Sequence, residues 1–140
     1  MFGVFLAQKL KNKPLTVVGS GKQKRDFTYI SDVVIAFYKT LKLKKNCQIF
    51  NLGTGKPISV NRIVKLLGCE SINIPKRPGE PNQTNANINK IKKELNWKPK
   101  INIEQGIINL LNEINYWKNA PLWTPKKIKI ATKDWFKYLS

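Results

Sequence analysis

Three charged side chains in two separated stretches have the chemistry to grip an anionic ligand. Arg25 lies in GSGKQKRDFTYISD, residues 19–32. Gly19 and Gly21 permit a tight turn there, and Arg25 then projects from the start of a strand. A guanidinium fork suits a diphosphate better than an ammonium does. A surface arrangement of Arg25 and Asp26 with no ligand accounts for the same spacing. Arg77 and Glu80 lie in IPKRPGEPNQTNANINKIKKELNWKPK, residues 74–100. Prolines 75, 78 and 81 stiffen that loop, which reduces the entropy lost when a ligand binds. An arginine and a carboxylate three apart could hold a phosphate and a ribose diol together. A solvated loop whose two charges pair weakly is the other reading.

Other chemistry-bearing patterns fail on inspection. Gly53-Thr54-Gly55-Lys56 looks like a phosphate loop, but Phe50 stands where its first glycine belongs and Pro57 replaces the Ser/Thr. Neither glycine pair completes a dinucleotide-binding turn after a first strand. Tyr38 and Lys42 have the Tyr-x-x-x-Lys spacing of short-chain dehydrogenases. With four tyrosines and many lysines, about 0.66 such matches are expected by chance. The chain has no histidine, which removes His-based general base chemistry, Ser-His-Asp triads and the common zinc sites. Neither a catalytic residue nor a metal ligand is assigned within the chain.

The net charge of +18 would fit a small basic nucleic-acid-binding module. The kind of base argues otherwise. The chain holds 23 Lys and only three Arg, with 15 Asn and 16 Ile. Groove readers lean on Arg, whereas excess Lys, Asn and Ile together is what AT-rich codons produce. A solvated surface drifted toward Lys is therefore favoured, with no nucleic-acid partner. No apolar run approaches a membrane helix, and the N-terminus lacks a signal-peptide pattern. A cytoplasmic protein with Cys47 and Cys69 as free thiols is expected.

The elements that must position these residues are short. Phe2, Phe5, Leu6 and Leu10 give residues 1–12 a helical period. Residues 15–18 and 26–30 read as strands, separated by the glycine turn. Ser31 is a candidate N-cap for a helix over 32–43 with Val33, Val34, Phe37 and Leu41 on one face. Residues 48–52 read as a strand. Ser59 caps a helix over 60–67 that Gly68 ends. Residues 71–74 form a strand, 75–84 a loop, and Asn87 caps a helix over 88–95. Residues 104–118 form the strongest amphipathic helix, with Ile107, Leu110, Leu111, Ile114 and Trp117 as its stripe. Thr124 and Pro125 read as an N-cap followed by Pro at N1, and a last helical segment holds Trp135, Phe136 and Leu139. The class is α/β, mostly helical with short strands, in one unit spanning 1–140.

The blocks RDF-x-Y-x-x-D (25–32), FN-x-G-x-G (50–55) and RPGE followed by LNWKPK (77–80, 95–100), in that order, are specific together. With them the whole chain resembles the extended short-chain dehydrogenase/reductase family, the NAD-dependent epimerases/dehydratases, and especially UDP-glucose 4-epimerases. The resemblance corresponds to roughly the C-terminal two-fifths of such an enzyme. It implies that Arg25 and Arg77 hold the nucleotide diphosphate and that Glu80 binds ribose hydroxyls. It also implies that the backbone near Thr16 and Val18 recognises uracil. Asp32 and Asn51 match positions that look structural. Asn87 and Ser20 stand where Asp is usual; both can cap, so no loss is inferred.

The resemblance implies NAD and a UDP-sugar for the intact enzyme, which is expected to be a homodimer. Its glycine-rich NAD turn and its Tyr-x-x-x-Lys would lie in an N-terminal Rossmann half upstream of this chain. The expectation is thus a sugar-nucleotide-binding C-terminal lobe, a fragment that is inactive and binds no cofactor alone. A nucleotide-sugar 4,6-dehydratase would leave the same traces in this portion, and a remnant that folds poorly is a further possibility.

Overall fold

The computed structural model describes residues 1–44 and 47–139. Its elements run α1 (Phe2–Leu10), β1 (Leu15–Val18), β2 (Lys24–Arg25), α2 (Ile30–Thr40), β3 (Ile58–Ser59), α3 (Val60–Leu67), β4 (Ser71–Ile74), α4 (Asn89–Leu95), α5 (Ile103–Asn112), a 3₁₀ turn (Ile114–Trp117), α6 (Pro125–Ala131) and α7 (Lys133–Leu139). The class is α/β, with many helices and few strands. β1 and β4 pair in parallel, from Leu15 beside Ser71 to Val18 beside Ile74. β2 and β3 pair antiparallel over two residues each. No helix among the described residues is long and apolar enough to cross a membrane.

Two apolar clusters hold these elements. Phe5 and Leu6 of α1 meet Leu15 and Val17 of β1, Ile63 and Leu67 of α3, and Ile107 of α5. Leu15 and Val17 share one face because a strand alternates with period two. Each such burial contributes about 1.5–3 kcal/mol. The second cluster joins Ala36 of α2 to Ile91 and Leu95 of α4 and to Trp97. The Trp97 indole N–H donates to the carbonyl of Asp32 at 2.9 Å. The buried Asp32 carboxylate accepts from the N–H groups of Lys100 and Ile101, at 3.1 and 3.0 Å. Asp32 thereby clasps residues 25–32 to residues 95–100. Asn51 is exposed.

Several local expectations are met. Ser59 caps α3 by accepting from Arg62 N–H, and Gly68 ends it at φ 62°. Thr124 caps α6 ahead of Pro125.

Others are corrected. The strand expected over 26–30 does not form; a two-residue strand lies just before it at Lys24–Arg25, where β3 offers only two residues of ladder, and Asp26 turns its side chain to other partners. Asn87 does not cap α4 as expected: the helix starts at Asn89 with Ile88 in the N-cap position, and the Asn87 side chain accepts from Asn89 N–H at 3.0 Å from one residue further out. Residues 48–52 form no strand, since no other strand lies beside them among the described residues. Ser31 lies inside α2 rather than capping it. The apolar stripe of α2 faces outward: Val34, Phe37 and Leu41 are 58%, 65% and 80% exposed. The helix expected over 104–118 breaks at Glu113 into α5 and the 3₁₀ turn. That tighter turn sets the Trp117 ring against Gly3, where an added Cβ would lie 2.6 Å from the ring.

Candidate functional site

The parallel pairing of β1 with β4 decides where the charged loops meet. Val18 ends β1 beside Ile74, and the chain beyond Ile74 becomes the loop that carries Arg77 and Glu80. Pro78 and Gly79, the latter at φ 71°, form a turn in which Glu80 N–H reaches Arg77 carbonyl at 3.4 Å. Proline followed by a left-handed glycine is the pattern of a type II turn. It explains why Arg77 and Glu80 need a spacing of three.

Backbone bonds then bring Arg25 to this loop. Lys24 N–H donates to Asn82 carbonyl at 2.8 Å, and Thr84 N–H donates to Lys24 carbonyl at 3.1 Å. Arg25 therefore reaches Glu80, with Nη2 to Oε1 at 3.0 Å. Its Nη1 donates to its neighbour's carbonyl, Lys24 O, at 2.8 Å. Arg77 takes a different partner: its guanidinium carbon lies 5.6 Å from the centre of the Trp135 ring.

Thr16, Val18, Arg25, Arg77 and Glu80 all line one cleft of about 500 Å³. Two guanidiniums against one carboxylate leave it net positive. Its walls also hold Phe27, Trp123 and Trp135, which spacing rules did not single out. Buried Gln8 is the other residue missed. Its Nε2 donates to Thr16 Oγ1 at 2.9 Å and to Trp123 carbonyl at 2.8 Å, and its Oε1 accepts from Thr16 N–H. A lone glutamine on an apolar helix was the one available signal. A smaller hollow of about 130 Å³, lined in part by Lys22, Lys76 and Glu80, adjoins the cleft.

Asp26, next to Arg25, anchors the site from behind. Its carboxylate accepts from the Thr54 hydroxyl, from Thr54 N–H at 2.7 Å, from Gly55 N–H at 2.9 Å and from Ala86 N–H at 3.2 Å. Burial opposes its charge, but these donors outweigh burial and hold the carboxyl below its ordinary value. Gly53 is required for the approach, since a Cβ there would sit 2.5 Å from Asp26 Oδ2.

Neither glycine turn fits the pyrophosphate of NAD. The N–H groups of the Gly53–Gly55 turn, the natural donors to a phosphate, already hold Asp26. The turn containing Gly19 and Gly21 leads into β2 rather than a helix N-terminus, and Gly19 N–H is bonded to Ile74 carbonyl.

Comparison with known proteins agrees with this architecture. The family model described as GDP-mannose 4,6 dehydratase matches residues 3–110. A UDP-glucuronate 4-epimerase of Thermodesulfobacterium geofontis is 36% identical over 135 residues, covering 90% of this chain and 40% of that protein. An uncharacterized UDP-glucose epimerase of Bacillus subtilis, YtcB, is 37% identical over 124 residues, covering 82% of this chain and 38% of the other. Among solved structures, the UDP-glucuronic acid 4-epimerase of Bacillus cereus in complex with NAD superposes with a TM-score of 0.73 at 28% identity, covering 84% of this chain and 40% of that one. The chain thus spans about two-fifths of the length of these relatives. The chain therefore belongs to the extended short-chain dehydrogenase/reductase family of NAD-dependent epimerases/dehydratases.

Proposed function

We propose that residues 1–140 are the nucleotide-sugar-binding C-terminal lobe of an NAD-dependent UDP-sugar 4-epimerase. The observation that carries this reading is that Arg25, Arg77 and Glu80, from separated stretches of chain, line one cleft. Arg25 and Arg77 take the diphosphate through charge-assisted hydrogen bonds. Glu80 leaves Arg25 for the ribose hydroxyls.

The edge of β1 supports a uracil subsite. Leu15 and Gly19 donate their N–H groups to Glu70 and Ile74 on the β4 side. Backbone alternation in a parallel ladder therefore turns the groups of Thr16 and Val18 to the opposite edge. There Gln8 occupies Thr16 N–H, and Gln23 Nε2 occupies Val18 carbonyl at 2.8 Å. Thr16 carbonyl and Val18 N–H remain as an acceptor and a donor for the imide edge of uracil.

The hydride and proton transfers belong to an N-terminal Rossmann lobe that completes the enzyme and carries NAD. The outward apolar stripe of α2 and residues 48–52 are surfaces that this lobe would cover. The test is calorimetric titration of the chain with UDP and with GDP. Micromolar to millimolar UDP binding that Arg77→Ala weakens tenfold or more, with weaker GDP binding, is expected. Equal affinity for duplex DNA, with a steep salt slope, would instead identify a nucleic-acid module.

A further inference from the structure

We propose that Trp135 is a positioning residue for the diphosphate subsite: it holds the Arg77 side chain in the orientation that meets phosphate. The proposal rests on the UDP-binding reading above and adds a residue to it from outside the region that the family model matches, which ends at residue 110.

Trp135 touches the Arg77 turn at two points. Its indole N–H donates to Pro78 carbonyl at 2.9 Å. Its ring lies under the Arg77 guanidinium, 5.6 Å from ring centre to Cζ, within the range of a cation–π attraction. A ring face engages the flat side of a guanidinium and leaves its N–H edge for a phosphate. The two contacts act together: the hydrogen bond fixes the backbone beside Arg77, and the ring restricts the rotamers of its long side chain.

The helix that carries Trp135 is otherwise weakly held. Neither α6 nor α7 buries any residue. The segment is pinned by a few polar ties, one at Trp123, whose carbonyl accepts from Gln8, and one at Trp135. Trp135 is itself 42% exposed, so its replacement opens no core cavity. A large aromatic on a surface helix that gives its N–H to a loop 57 residues away is poorly explained by packing. It is well explained as a clamp on the turn that presents Arg77.

The experiment titrates the 140-residue chain with UDP and with uridine, the same base and sugar without phosphates. Trp135→Ala should raise the Kd for UDP about tenfold and leave that for uridine unchanged within about twofold. Trp135→Phe keeps an aromatic face and loses the N–H, so about a threefold rise for UDP is expected. In an Arg77→Ala background, Trp135→Ala should add less than about twofold, because it acts through Arg77. Equal losses for UDP and uridine would overturn the proposal, since they mark a general wall of the cleft. So would unchanged UDP affinity in both Trp135 variants when Arg77→Ala weakens binding; the UDP reading would then survive alone. A wild-type chain that does not bind UDP would overturn both.

Discussion

Arg25 and Glu80, 55 residues apart in sequence, meet as an ion pair with Nη2 3.0 Å from Oε1. Their side chains are 22% and 24% exposed. At that exposure such a pair stabilises a fold by about 0–1 kcal/mol. A charged contact to a diphosphate is worth more, about 1.5–3 kcal/mol. Arg25→Ala should therefore lower Tm by only a few degrees, yet weaken UDP binding tenfold or more. Differential scanning fluorimetry and calorimetry measure the two effects. A large fall in Tm with unchanged UDP affinity would make the pair structural and nothing else.

Gly79 tests the turn that brings Arg77 and Glu80 together. Its φ of 71° lies in the left-handed region, and an added Cβ would meet nothing within 4 Å. Any cost of substitution is therefore backbone strain, about 1–2 kcal/mol for most residues and less for Asn. UDP affinity should fall in the order Gly, Asn, Ala, Val at this position. An Ala variant that binds UDP as tightly as wild type would show that the turn does not govern the site.

Much of this arrangement was legible in the sequence, because local rules specify local structure. Ser59 with Gly68, Thr124 with Pro125, and Pro78 with Gly79 each announce a cap or turn through one residue's conformational preference. The pairing of Arg25 with Glu80 was not legible, since it depends on Lys24 bonding to Asn82 and Thr84 across a gap no spacing rule spans. The same holds for Trp135 beside Arg77 and for Gln8 joining Thr16 to Trp123. Periodicity also misled at α2. It located the apolar stripe of Val34, Phe37 and Leu41 correctly but not its direction, because amphipathicity reports that a face is apolar and not what covers it. Residues 48–52 have strand-like composition, yet a strand exists only beside a partner strand.

That stripe on α2 gives a third prediction. Phe37 is 65% exposed, so Phe37→Glu should change stability by no more than about 0.5 kcal/mol. It should reduce binding of an apolar dye and any self-association, because exposed apolar patches of this kind drive both. Mixed with a Rossmann lobe from a relative, the variant should dock more weakly than wild type. A drop in Tm of many degrees would mean that Phe37 packs inward and that the stripe is part of the core.

Asp26 gives the pH dependence. Burial raises its pKa, but the Thr54 hydroxyl and the N–H groups of Thr54, Gly55 and Ala86 outweigh this, so the folded value lies below the ordinary 3.8. A folded value below the unfolded one means the stabilisation is complete above the unfolded pKa. It is lost as pH falls through the folded value, hence below about pH 4. Asp26→Asn keeps the shape but turns an amide N–H₂ toward donors, leaving half-buried N–H groups poorly paired at a cost of about 1 kcal/mol. The Tm gap between wild type and Asp26→Asn should be constant from pH 5 to 8 and narrow steadily below pH 4. Glu104, lowered by its hydrogen bond from Arg62, adds an acid slope to both proteins and cancels in the difference. A gap that stays constant down to pH 2 would show that the Asp26 charge contributes nothing, and that the three chain segments meeting at its carboxylate are held together by packing alone.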